Sequence, residues 1–186
     1  CSTEGSLVTV AALGGQLVWI AGGGSEEADE ERVSIVQAVA AKGGGKQPAQ
    51  ILPVRIGAPA TGLALGEDGR VLYVATEDQR LVAVNVTAPP SSSILDDVRV
   101  GEEGERLTAL GTLLGGISVV VGTSEGRVST WQLVRSESGS GHREFALLHR
   151  YDSHAAAVTR IASSARNKAF MTADTGGLIR LHYGTS

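Results

Sequence analysis

Gly122-Thr123-Ser124-Glu125-Gly126 matches G-x-S-x-G, the pattern that presents a serine nucleophile in acyl-transfer enzymes. That chemistry needs the serine on a sharp strand-to-helix turn, so that its hydroxyl stands clear of the sheet. Arg127 to Val134 instead alternates in strand fashion, with Val128 and Thr130 opposed to Ser129 and Trp131, which predicts a hairpin turn with no helix after it. A hydrolase using Ser124 is therefore only an alternative, and no catalytic residue is expected. His142, His149, His154 and His182 all lie in the final third and invite metal binding, but their spacing fits no recurrent zinc pattern. Strand residue His149 and loop residue His154 are read as structural. Asp152, Ser153 and His154 are neighbours along the chain, whereas a charge-relay triad converges from separate elements.

Other polar stretches are equally plain. Lys42-Gly-Gly-Gly-Lys46 lacks the strand-then-helix setting and the terminal Lys-Ser/Thr of a phosphate loop, and is read as a linker. The run Ser25-Glu-Glu-Ala-Asp-Glu-Glu31 is read as a solvated acidic loop. Asn85-Val86-Thr87 is a glycosylation sequon that matters only in a protein secreted by a eukaryote. No cofactor and no metal are expected.

Composition sets the outer limits. At 186 residues with 42% apolar residues the chain can bury a core, so disorder of the whole is excluded. A net charge of −4, with sixteen Lys and Arg scattered singly, speaks against a nucleic-acid surface. The apolar runs, such as Val119 to Val121 and its flanks, are far shorter than the roughly 20 residues of a spanning helix. Cys1 is the sole cysteine, so no internal disulfide can form. It is expected to be an arbitrary domain start rather than the lipidated start of a bacterial lipoprotein. With 25 glycines and 4% aromatic residues, the composition suits many tight turns between short strands.

The elements that must carry these residues repeat. Ala60 to Val84, Leu107 to Trp131 and Val158 to His182 align without gaps, at offsets of 47 and 51 positions. Thr61, Thr108 and Thr159 coincide, as do Ala75, Gly122 and Ala173, and then Thr76, Thr123 and Asp174. Each unit reads as three strands; in the first, Gly62 to Leu65, Val71 to Thr76 and Leu81 to Val86, with a turn at Glu67-Asp68-Gly69. Val54-Arg55-Ile56-Gly57 recurs as Val98-Arg99-Val100-Gly101, with a weaker copy at Leu148 to Tyr151, and adds a fourth strand. The N-terminal copy is poorer: Val8 to Ala12, Leu17 to Ala21 and Arg32 to Val36 serve as strands around an enlarged loop, Gly22 to Glu31. The expectation is an all-β, single-domain chain, a β-propeller or partial propeller of about four blades of four antiparallel strands. The blades fall near 1–57, 58–101, 102–152 and 153–186. Small residues at the ends of the middle strands fit the crowding of blades at an axis.

The last unit carries a family signal. Ser153-His154, Val158-Thr159-Arg160-Ile161-Ala162, Asp174 and Ile179-Arg180-Leu181-His182 together resemble a WD-type repeat. The resemblance implies a structural hydrogen-bond network at His154 and Asp174, with His182 in place of the closing Trp; Trp131 occupies that closing position one unit earlier, where Thr123 replaces the Asp. The stretch from Lys168 to Ser186 further resembles the propeller-to-membrane junction of bacterial permeases of the phosphate-type ABC transporter class. That resemblance implies a noncatalytic, extracytoplasmic interaction or regulatory module on the periplasmic side, joined to membrane helices. Its partners would be a substrate-binding protein or transporter subunits. A cytosolic WD-like scaffold is the alternative. Four blades are few for a closed ring, so the piece is expected either to be part of a larger propeller or to assemble with a second copy as a homo-oligomer.

Overall fold

The computed structural model describes the backbone of the strands within residues 7–53 and, in full, residues 54–66, 69–86, 94–136 and 141–184. Cys1, the acidic run 25–31, the 42–46 stretch, Glu67-Asp68 and Thr87 of the sequon lie outside the described residues. Among the described residues fifteen strands follow one another: β1 (Leu7–Leu13), β2 (Gln16–Gly22), β3 (Arg32–Ala38), β4 (Gln50–Arg55), β5 (Ala60–Leu65), β6 (Val71–Thr76), β7 (Arg80–Asn85), β8 (Ile94–Arg99), β9 (Leu107–Thr112), β10 (Ser118–Thr123), β11 (Val128–Arg135), β12 (Arg143–Tyr151), β13 (Val158–Ser163), β14 (Ala169–Asp174) and β15 (Ile179–Tyr183). Among the described residues no helix is long and apolar enough to cross a membrane.

The strands form four antiparallel meanders, β1 to β4, β5 to β8, β9 to β12 and the three-stranded β13 to β15, each ordered as in the chain. The first strands of successive sheets lie against one another, β1 on β5, β5 on β9 and β9 on β13, so the sheets stack about an inner row like propeller blades. Each apolar cluster falls between two sheets. Leu72, Val74, Val82 and Val84 face back to Val54 and Ile56 at the end of the first sheet and just beyond it. Tyr73, Ala75, Leu81 and Ala83 meet Leu107, Val119, Val121 and Trp131 of the third. Val120 and Val128 meet Val158 and Phe170 of the fourth. A middle strand is thus covered on both faces, which explains why β6 is buried at every position and reads as an unbroken apolar run.

Where the expected and observed elements differ, the strand ends account for it. The fourth strands begin earlier than the Val-Arg-Ile/Val-Gly recurrence suggests, β4 at Gln50, β8 at Ile94 and β12 at Arg143. The recurrence marks the exit from the strand: Gly57, just past β4, has φ +77°. In the fourth sheet three strands, not four, lie among the described residues. Crowding at the inner row is visible at Gly122, where an added Cβ would stand 2.6 Å from Val158 Cγ1.

Candidate functional site

The densest polar chemistry among the described residues is built where the loop entering β13 meets the β14–β15 hairpin. His154 Nδ1 donates to Asp174 Oδ2 at 2.9 Å. That fixes the ring, and its other nitrogen accepts from the Thr172 hydroxyl at 2.6 Å. Thr172 Oγ1 accepts in turn from His182 Nε2 at 2.8 Å. The second Asp174 oxygen accepts the Leu178 amide at 2.9 Å, closing the hairpin. The His154 backbone N–H donates to the Gly126 carbonyl at 2.8 Å, tying the loop to the β10–β11 turn of the preceding sheet.

Position in the strands decides who belongs. Thr172, at the centre of β14, and His182, on β15, share one face through the pairing of Thr172 with Arg180 and of Phe170 with His182. His182 stacks on Phe170 at 4.8 Å and meets the edge of Tyr151 at 4.9 Å. Burial pushes the His182 imidazole below its ordinary value, and His154 and Arg180 push the same way against Asp152. For Asp174, burial pulls the pKa up, but the amides of Leu178 and Gly176 together with His154 more than reverse this and leave the carboxyl below the usual range.

A hydroxyl, an imidazole and a carboxylate in series have the connectivity of a nucleophilic triad. Here the hydroxyl is sealed: Thr172 is 1% exposed, and its oxygen already accepts from His182. No electrophile reaches it, so what the array can do is hold a loop, a hairpin and two sheets together.

His154, Asp174 and His182 are brought together, and Trp131 is not. It lies in the third sheet, where its indole N–H donates to Ser129 Oγ at 2.9 Å. That sheet uses another device at the equivalent place. Glu105, buried in the loop before β9, accepts from Arg127 Nε at 2.9 Å and from Arg127 Nη2. It also caps the Glu102 amide at 2.8 Å. Burial would raise the Glu105 carboxyl, but Arg127, Thr123 and the Glu102 amide together lower it. Across the units the same turn amide is captured by the same strand-end position: Arg80 N by Thr76 Oγ1, Arg127 N by Thr123 Oγ1 and Leu178 N by Asp174 Oδ1.

Two members escaped the sequence reading. Thr172 aligns with Val74 and Val121, and a hydroxyl in the middle of an apolar strand is a signal that could have found it. Glu105 carried no comparable signal, since a lone Glu before a strand is ordinarily solvated.

Ser124 occupies the hairpin turn between β10 and β11, where its hydroxyl accepts the Arg106 amide at 3.1 Å and its own amide donates to Arg106 O at 2.9 Å. The next element is strand β11, so the elbow geometry of the Ser124 alternative is not formed. His149 packs edge-on against Tyr151 at 4.5 Å. No group of three or more His, Cys, Asp or Glu able to hold a metal occurs among the described residues.

Beside the sealed array an open groove of about 460 Å³ runs between the end of β12 and β15, lined by His149, Arg150, Asp152, Arg180, His182 and Tyr183. Tyr151 Oη and Arg180 Nε, on two of the residues that line it, are buried without a hydrogen-bond partner.

No family model matches the sequence, and no curated protein matches it. Solved structures do. The computationally designed Ika4 protein matches 97% of this chain and 93% of its own at 15% identity, with a TM-score of 0.64. The β-propeller domain of Cps50 (Swd1) from Myceliophteria thermophila matches 97% of this chain at 14% identity, with a TM-score of 0.67. The chain spans 54% of that propeller domain. At such identities the likeness shows the fold: a WD-like, all-β propeller architecture.

Proposed function

We propose that the chain is a noncatalytic interaction module of the WD-like propeller type. The observation that carries this reading is the division of its polar chemistry. The one hydroxyl–imidazole–carboxylate array among the described residues is sealed, while an open groove with Arg150, Arg180 and His149 on its walls faces solvent. A concave, cationic, aromatic-lined surface suits an acidic segment of a protein partner.

The finer assignment is to the extracytoplasmic part of a phosphate-type ABC permease, supported by the resemblance of the stretch from Lys168 onward. A periplasmic substrate-binding protein or another transporter subunit would then be the partner. The cytosolic scaffold reading draws equal support from the Swd1 propeller neighbour.

Binding of a purified periplasmic phosphate-binding protein to the immobilised chain tests the finer assignment. Saturable binding weakened about 10-fold by Arg150→Glu supports it. No binding, with no apolar segment of about 20 residues encoded after Ser186, returns the choice to the scaffold reading.

A further inference from the structure

Three repeat positions show how one sheet receives the next. In the second sheet Tyr73, Leu81 and Ala83 face the third and are 1%, 0% and 0% exposed. In the third sheet the aligned residues are Val120, Val128 and Thr130, exposed 0%, 2% and 2%, with Val120 and Val128 packed on the fourth. In the fourth sheet the same positions hold Met171, Ile179 and Leu181, still apolar, yet 47%, 66% and 58% exposed. Tyr183 extends the row, since alternate residues of β15 share a face. Single exposed apolar residues need no explanation; a row in register with two buried rows does.

We propose that this face is a joint for the first sheet of a second copy of the chain, two copies closing head to tail into one ring. The two joints inside the molecule show what the row accepts: the face of a following sheet that presents Leu107, Val119 and Val121 in one case, Val158 and Phe170 in the other. The first sheet offers a matching apolar strand in its sequence. Its middle strand β2 reads Leu17-Val18-Trp19-Ile20-Ala21, apolar at both alternations like β6, which is covered on both sides. Among the described residues, no sheet precedes it in the stack.

Geometry favours two copies over any other number. Nearly all of this chain, 97%, superposes on 54% of the Swd1 propeller chain, which leaves room in a ring of that size for about one more such arc. A two-fold axis then sets the last sheet of each copy against the first sheet of the other. A net charge of −4 per chain puts little repulsion in the way. The face meets the groove at Leu181 and Tyr183, while His149, Arg150 and Asp152 belong to the groove alone.

Sedimentation velocity over a concentration series, on the whole chain, tests it. The expected result is a particle of twice the 19.1 kDa chain mass that dissociates on dilution. An Ile179→Glu, Leu181→Glu double variant with an unchanged far-ultraviolet circular dichroism spectrum is expected to associate at least ~10-fold more weakly. A single-chain mass at every concentration up to about 100 micromolar overturns the proposal, whatever else covers the face. So does an open-ended series of larger oligomers, or a correctly folded double variant that dimerises as the parent does. Should the double variant fail to fold, hydrogen exchange on the parent chain decides. Concentration-dependent protection of both β14–β15 and β1–β2 supports the joint, and protection independent of concentration in either overturns it.

Discussion

Gly126 shows how much one residue can carry. It occupies the left-handed region at φ +80°, and a Cβ there would stand 2.2 Å from the His154 carbonyl oxygen. Its aligned partners Gln79 and Gly177 share that conformation at φ 66° and 84°. A Gly126→Ala chain faces both the strain and the collision, and loss of about 3 kcal/mol in urea unfolding is expected. Gln79 carries the strain without the collision, so Gln79→Gly is expected to be neutral or to stabilise by up to about 1 kcal/mol in the same measurement, less what its hydrogen bonds to Glu77 O and Arg99 return. His182 and Asp174 both contribute to the dependence of stability on pH. The native state holds His182 below its ordinary value of 6.5, so between that value and its native pKa the unfolded chain binds more protons, and stability falls as pH drops. The depressed Asp174 adds a second loss at lower pH, beginning near its ordinary value of 3.8 and continuing as pH falls through the native pKa. Melting temperatures measured from pH 7 down to about 5 should therefore decline, and His182→Trp, whose indole N–H can still donate to Thr172, should remove the contribution His182 makes to that slope.

Within an element, hydrogen-bonded groups must be removed together or not at all. Thr172→Val substitutes the residue type that the aligned positions of β6 and β10 already carry, yet it leaves ring nitrogens of both His154 and His182 facing a methyl group. A loss of about 1–3 kcal/mol is expected from chemical denaturation. A Thr172→Ser chain should retain most of the stability, which separates the hydroxyl from mere volume. The same strands show what was legible beforehand. The repeat register could be read because each middle strand is apolar on both faces and ends in a small residue, Ala75, Gly122 or Ala173, followed by a residue that caps a turn amide. The fourth strands were placed late because Val-Arg-Ile/Val-Gly marks a strand end. His154, Asp174 and His182 follow from the resemblance to a WD-type repeat, whereas the Glu105–Arg127 pair is invisible in the sequence because its members lie 22 residues apart and become partners only once the sheet forms. Exposure of Met171 and Ile179 is unreadable for a related reason: both are apolar like their buried counterparts Tyr73, Val120, Leu81 and Val128, and a neighbour decides the difference.

At the scale of the molecule, stability is a sum over sheets and the joints between them. The second and third sheets are flanked on both sides, and β6, β7 and β10 lie almost wholly buried, whereas β15 is largely exposed. Native-state hydrogen exchange in dilute solution should therefore rank amides of β10 as slowest and those of β15 as much faster, a difference of orders of magnitude in protection factor. Equal protection in the two would mean that the whole arc opens as a single unit. The meander connectivity bears on time as well as on strength. Within each sheet every strand pairs with its neighbour along the chain, and each sheet rests on its successor, so little loop entropy is lost before a contact is gained. Refolding after denaturant dilution should accordingly start from a local hairpin pair and spread outward, faster than in Greek-key β-proteins of similar size, whose pairings join distant segments.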